Sequence, residues 1–260
     1  YTPWEWHQEI FKRCEELGLL CFSTPFDDTA IDFLESLNCP CYKIGSTENT
    51  DYELLKKVAK TGKPIFVSTG MATLEELGKI VSELTKAGCE ELVLLKCTAA
   101  YPALPSDANL LTIGNMKELF DCPIGLSDHT LGIGVAIASI AFGAIMVEKH
   151  ITLSRDQVGV DSAFSMEPSE FKQLVRETKI AWDSRGTISY GPTISENSNL
   201  SRRSLYIVQD IKKGDILTKK NLKSIRPGYG LPVKYINDLL GMKVTTDIKR
   251  GTRMSWEFVK

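Results

Sequence analysis

The chain alternates short apolar runs with longer stretches whose apolar positions recur at helical spacing. The runs Leu19–Phe22, Cys41–Ile44, Pro64–Val67, Glu91–Leu95, Pro123–Thr130 and Gly143–His150 are too short for helices and read as strands. Between them the periodicity predicts helices over Trp4–Leu17, Thr29–Leu37, Asp51–Thr61, Thr73–Ala87 and Gly134–Phe142, with a further helix over Pro168–Trp182. Gly18, Gly62 and Gly88 follow three of these stretches and read as helix stops. Residues 98 to 122, with Tyr101-Pro and Leu104-Pro, read as a longer loop. Ser165 reads as the cap of the Pro168 helix, with Glu167 and Glu170 favouring its amino end.

The six strands are continuously apolar rather than alternating, the pattern of a parallel sheet covered on both faces. Each ends in small polar or charged residues: Ser23 and Thr24, Lys43 and Ser46, Ser68 and Thr69, Lys96 and Thr98, Ser127 and His129, Glu148 and His150. A polar rim at the carboxyl ends of parallel strands is where α/β folds place their chemistry. Six units cannot close a barrel of eight. Either the sheet is open and doubly wound, or two units are expected to precede Tyr1. The texture changes after residue 185. Residues 186–201 are rich in Gly, Ser, Asn, Thr and Pro and read as a linker. Residues 202–260 have short strands and frequent turns, and read as a small, mostly β domain expected to bury little core alone.

Composition narrows the function. The 31 Lys and Arg against 33 Asp and Glu leave a net charge of −2 without a basic run, which argues against nucleic acid or an anionic membrane surface as partner. No window approaches the ~18 apolar residues of a membrane span. The seven Cys, several of them in strand-like runs (Cys21, Cys97), fit buried, reduced thiols and a cytoplasmic enzyme.

Two of the three His stand at the ends of neighbouring strands. The stretch from Pro123 to Thr152 reads as one βαβ unit, so His129 and His150 fall side by side on the rim. With Asp128 and Glu148 beside them, they form a candidate divalent-metal site. No CxxC or HxxxH spacing is present, which excludes a structural zinc site of the usual kind.

The strand-end motifs Phe22-Ser-Thr-Pro-Phe-Asp27, Tyr42-Lys-Ile-Gly-Ser46, Ser68-Thr-Gly-Met71, Gly125-Leu-Ser-Asp-His-Thr130 and Glu148-Lys-His-Ile-Thr152 resemble the sialic acid synthase family. Gly214-Asp215, Ser224-Ile-Arg-Pro-Gly228 and Gly251 look like the antifreeze-like (SAF) domain of the same enzymes. Within the family, Tyr1-Thr-Pro-Trp-Glu-Trp-His7 and Gly159 to Pro168 look most like pseudaminic acid synthases; Ser162 stands where sialic acid synthases more often carry His. The resemblance implies an α/β fold, a (β/α)8 TIM-type barrel lacking its first two βα units over residues 1–185, joined by the linker to a SAF domain. It implies condensation of phosphoenolpyruvate with an N-acetylated amino sugar, here a 2,4-diacetamido-2,4,6-trideoxy hexose, releasing phosphate. N-acetylneuraminate or legionaminate synthesis, a pyruvate-using metal-dependent aldolase, and an inactive sugar-binding fragment are the alternatives.

Phosphoenolpyruvate needs a cation and several hydroxyl donors. Lys43 is the expected cation and Thr24, Ser46, Ser68 and Ser127 the expected donors, with Tyr101 beside them as a further substrate contact. By the same resemblance His129 and His150 hold a divalent metal, Mn2+ or Mg2+ in its place, that polarises the sugar aldehyde. Glu148 and Asp161 handle protons or sugar hydroxyls, although Glu148 could instead pair with Lys149 or Lys96. Phe164, Met166 and the two Trp of the opening motif are candidates for apolar contact with the sugar. Arg226 is implied to reach the sugar's N-acyl group in the partner subunit of a domain-swapped homodimer.

Overall fold

A computed structural model describes residues 2–157, 159–196 and 198–260. Tyr1 of the opening motif and Asn197 of the expected linker lie outside the described residues. The chain forms two compact units, Tyr1–Gly186 and Thr187–Lys260.

The first unit runs α1 (Trp4–Glu16), α2 (Asp28–Ser36), β1 (Tyr42–Ile44), α3 (Tyr52–Ala59), β2 (Ile65–Ser68), α4 (Leu74–Lys86), β3 (Leu92–Cys97), α5 (Leu111–Phe120), β4 (Ile124–Asp128), α6 (Gly134–Ala141), β5 (Val147–Lys149) and α7 (Pro168–Ser184). Local chemistry explains these boundaries. Asp51 accepts from the Leu54 N–H at the start of α3, whose Leu54, Leu55 and Val58 are buried. Thr73 and Glu76 form a reciprocal capping box at the start of α4, and Leu77, Ile80 and Leu84 give that helix its buried stripe. Gly18, Gly62 and Gly88 all take positive φ just past α1, α3 and α4, as the helix stops required.

The five strands are parallel and lie in chain order, β1-β2-β3-β4-β5. A doubly wound sheet reverses its order at a switch point; this one does not, and it forms a curled half-barrel. The helices cover one face, over a core that includes Ile44, Leu55, Ile65, Val67, Ile80, Leu84, Leu94 and Ile113. The period of two then assigns faces in the last strands. Leu126 packs with Ala136 of α6 and Leu174 of α7, so Leu126 and Asp128 face the helices while Ser127 and His129 face the other way.

Three expectations are corrected. Leu19–Phe22 forms no strand: a strand needs a ladder, and the single bridge here, Ser23 to Tyr42, lies just past the run, with Leu19 and Leu20 exposed. The sheet therefore has five strands and a bridge rather than six strands. The loop expected between 98 and 122 contains α5. That helix has no side-chain N-cap, carries Gly114 and Asn115 in its middle and buries only Ile113 and Met116, so its pattern is faint. Ser165 is not a cap: its hydroxyl donates to the Asp161 carbonyl at 2.7 Å, and Glu167 caps α7 in a box with Glu170.

In the second unit β6 (Ser204–Ile207) pairs antiparallel with β7 (Leu222–Ile225), and the remaining pairings are single bridges such as Ile211 to Ile248 and Val244 to Val259. It buries more than its length led us to expect. Leu205, Ile207, Leu217, Leu222, Leu239, Val244, Ile248 and Met254 form a core of their own.

Candidate active site

The parallel register brings the rim residues together. Tyr42–Ile44 pairs with Ile65–Val67, Cys97 lies opposite Ser127, and Ser127 lies opposite Glu148. Lys43 is buried, and its Nζ lies 3.4 Å from Glu148 Oε1. The Ser127 hydroxyl donates to that same oxygen at 2.6 Å. Glu148 thus pairs with Lys43, not with Lys149 or Lys96. The Ser46 hydroxyl accepts from the Gly70 N–H at 3.1 Å. A Cβ on Gly70 would stand 2.6 Å from that hydroxyl oxygen, so the close approach requires glycine. Among the described residues the buried Ser68 hydroxyl has no hydrogen-bond partner, an orphan that points to a hydrogen-bonding ligand.

His129 and His150 stand with ring centroids 5.3 Å apart. His129 is buried; its Nδ1–H donates to the Thr98 carbonyl at 3.0 Å, which leaves Nε2 with a free lone pair. Asp161 Oδ2 lies 3.6 Å from His150 Nδ1. The Tyr101 ring sits 4.4 Å from His129 and 5.7 Å from Phe164, and Phe164 lies 5.2 Å from His150, so two aromatic rings wall the imidazole pair. The chain from 101 to 103 is seated by pairing along 129–130: the Ala103 N–H donates to the His129 carbonyl at 3.0 Å.

Cys97 was read from the sequence only as a buried thiol. It faces the rim, 3.9 Å from His129 Nδ1 and hydrogen-bonded to Ser46 and Ser127, and so joins the Lys43–Glu148–Ser127 group to the imidazoles. Burial alone would push its thiol up, but the bonds from His129, Ser46 and Ser127 outweigh burial and bring it below its usual value. Burial likewise works against charge on His129, yet Cys97 and the Thr98 carbonyl hold its pKa above the usual value. His150 goes the other way, lowered by burial and then by His129. Burial, helped by Cys97, Asp161 and Glu148, raises Tyr101. Asn49 was also missed; its buried amide donates to the carbonyls of Ser68 and Gly70 and holds the turn beneath the serines. The signal for Cys97 was parity, two positions on from the buried Leu95.

Asp128 is a correction. It was expected beside the metal, but the period of two turns it to the opposite face, where it pairs with Lys149 at 2.7 Å. Thr24 lines a neighbouring cavity of about 420 Å3 with Trp4, His7, Phe22, Phe26 and Phe33. Trp6 is exposed, and Met166 is buried against the helices. Arg226 is an exposed residue of the second unit, in a turn with a cis Arg226–Pro227 bond.

The donor set fits a divalent cation. Two imidazoles face one another, one of them fixed in the tautomer that leaves Nε2 free, with the Asp161 carboxylate beside the second. Among the described residues no three His, Cys, Asp or Glu side chains are placed to hold a metal ion together, so a cation here would also take water or substrate oxygens. No helix of the described residues is long and apolar enough to cross a membrane.

The chain is similar to known proteins over nearly its whole length. The sequence matches the NeuB family over residues 1–190 and the SAF domain over residues 202–260. It is 41% identical over 256 residues to the pseudaminic acid synthase of Helicobacter pylori, covering 98% of this chain and 75% of that protein. It is 36% identical to the N,N'-diacetyllegionaminic acid synthase of Campylobacter jejuni, over 94% of this chain and 74% of that one. Among solved structures it resembles the N-acetylneuraminic acid synthetase of Leptospira borgpetersenii, with a TM-score of 0.71 and 32% identity over 75% of this chain and 68% of that one. The chain therefore belongs to the NeuB family and is an enzyme, a phosphoenolpyruvate-dependent sugar synthase with a C-terminal SAF domain.

Proposed function

We propose that the enzyme condenses phosphoenolpyruvate with a 2,4-diacetamido-2,4,6-trideoxy hexose to give pseudaminic acid and phosphate. The observation that carries this reading is the continuous set of contacts from Lys43 through Glu148, Ser127 and Cys97 to His129 and His150. It sets an anion subsite beside an imidazole pair. Lys43 with Ser46, Ser68 and Ser127 binds the phosphate and carboxylate of phosphoenolpyruvate, and the orphaned Ser68 hydroxyl gains its partner there.

His129 and His150 would hold a divalent cation, Mn2+ or Mg2+, which when bound polarises the sugar aldehyde as a Lewis acid. C3 of phosphoenolpyruvate attacks the aldehyde carbon, and the cationic character left at C2 is met by water. Glu148 Oε1 is engaged by Lys43 and Ser127, so Oε2 is placed to take the proton from that water. The tetrahedral intermediate then loses phosphate. Asp161, beside His150, holds a sugar hydroxyl, and Tyr101 and Phe164 provide apolar contact. The seven free cysteines fit a cytoplasmic enzyme.

The choice of sugar rests on the kinship with pseudaminic acid synthases and on the aromatic wall. One methyl against such a wall discriminates by only about 1–3 kcal/mol, so rejection of N-acetylmannosamine comes mainly from hydroxyls left without partners. The test is kcat/KM for both sugars, followed by phosphate release. A clear preference for the diacetamido sugar is expected. Equal or better use of N-acetylmannosamine would reassign the sugar, and turnover of pyruvate without phosphate release would overturn the synthase reading.

A further inference from the structure

Behind the imidazole pair, on the opposite face of the sheet, lies a buried ion pair that the proposed chemistry does not use. Lys149 Nζ lies 2.7 Å from Asp128 Oδ2, and each side chain is only 2% exposed. The two residues are register partners across β4 and β5. Lys149 also donates to the Thr130 carbonyl, and the Thr130 N–H donates to Asp128 Oδ1 at 2.9 Å. Three groups thus tie the backbone on both sides of His129 to the residue that precedes His150.

A buried ion pair is a poor device for stability. Both charges lose their water, and replacing such a pair with apolar residues of like volume is often neutral or stabilising. What it supplies is a defined geometry. Here Leu126 and Val147, one position removed on the same face, are apolar and pack against the helices. On β4 and β5 that face is charged only at the level of the two His, while on the neighbouring β3 Lys96 lies opposite Leu126. Short strands fix the height of their end residues weakly, and β5 has just three residues, Val147–Lys149. The pair cross-links β4 and β5 where the imidazoles leave them.

We propose that Asp128 and Lys149 are positioning residues that set the separation and height of His129 and His150, and so the affinity of the cation site. The inference rests on the reading of the two His as ligands. Its test is Mn2+ binding to the purified enzyme, measured as free Mn2+ by electron paramagnetic resonance, alongside the melting temperature and the affinity for phosphoenolpyruvate without metal. The D128L/K149M variant should melt close to the wild type and bind phosphoenolpyruvate as well, because the Lys43 group is untouched. Its Mn2+ affinity should fall by about tenfold or more. K149R, which keeps the charge and the donors, should recover most of that affinity. Should D128L/K149M fail to fold, D128N/K149Q is read in the same way, since it keeps an acceptor for Thr130 and removes both charges. Wild-type Mn2+ affinity in the folded variant would overturn the inference and leave the ligand reading standing. Wild-type affinity in H129A/H150A would overturn both.

Discussion

At the scale of single residues, the site is an exercise in parity. The sequence placed His129 and His150 at matched strand ends, and they are found together because parallel strands in register carry like positions to like heights. The same rule shows why Asp128 was misplaced. It is adjacent to His129 in sequence, so a period of two puts it on the other face. Cys97 was read only as a buried thiol because a thiol in an apolar run looks the same whether it faces helices or a site, and parity with Leu95 alone separates the two. The opposed shifts of the imidazoles lead to a prediction. Burial disfavours charge on His129, but Cys97 and the Thr98 carbonyl outweigh it and raise its pKa above 6.5; His150 is lowered below 6.5 by burial and by His129. A metal takes the neutral ring. His150 is therefore already available near neutrality, while the proton on His129 competes until pH rises above 6.5. Mn2+ affinity should climb as pH rises through and past the ordinary histidine range, and the climb should vanish in H129A along with metal-dependent turnover. A flat profile, or full activity in H129A with Mn2+ bound, would remove His129 from the site.

At the scale of elements, a cap together with a stripe made a helix plain, although α1 and α6 were read as closely without a side-chain cap. α3 and α4 have Asp51 and Thr73 at their starts, glycines past their ends and buried apolar positions at helical spacing, and their limits were read to within a residue or two. α5 has no side-chain N-cap, a Gly-Asn pair in its middle and two buried residues, and it was taken for loop. Tertiary packing, not propensity, makes it a helix. Leu19–Phe22 is the converse, an apolar run with too few hydrogen-bonding neighbours to be a strand. The capping box of α4 can be tested directly. Thr73→Ala removes the acceptor for the Glu76 N–H and the hydroxyl bound by the Glu76 carboxylate. The cost should be about 1 kcal/mol, read as a fall in Tm of about 2–4 °C, with kcat unchanged because α4 starts beyond the serines. A Tm within error of the wild type would mean that packing of Leu77, Ile80 and Leu84 carries the helix without its cap.

At the scale of the whole molecule, the chain is two units with separate cores, and Arg226 belongs to the second. Arg226 is exposed, stands in a turn rich in Pro and Gly, and makes no side-chain hydrogen bond or ion pair among the described residues. Arg is suited to planar acceptors such as an amide or carboxylate, and a fixed turn is a means of presenting it. We propose that it completes the site of a partner subunit in a two-fold dimer, where it binds the sugar's N-acyl group. Light scattering at micromolar concentration should then give a dimer, and R226A should raise KM for the sugar with little change in Tm. Those results alone would not separate a residue that acts within its own chain from one that acts across the interface. Mixing two variants does, at a sugar concentration too low for R226A alone to turn over. H129A has a damaged barrel and an intact Arg226; R226A has the reverse. If Arg226 crosses the two-fold axis, a mixed dimer holds one site with both His129 and Arg226 and one site with neither. Random exchange makes half the dimers mixed, so activity per site should recover to about one quarter of wild type. If Arg226 serves its own chain, every site in the mixture lacks one of the two residues, and no activity returns however long the subunits exchange.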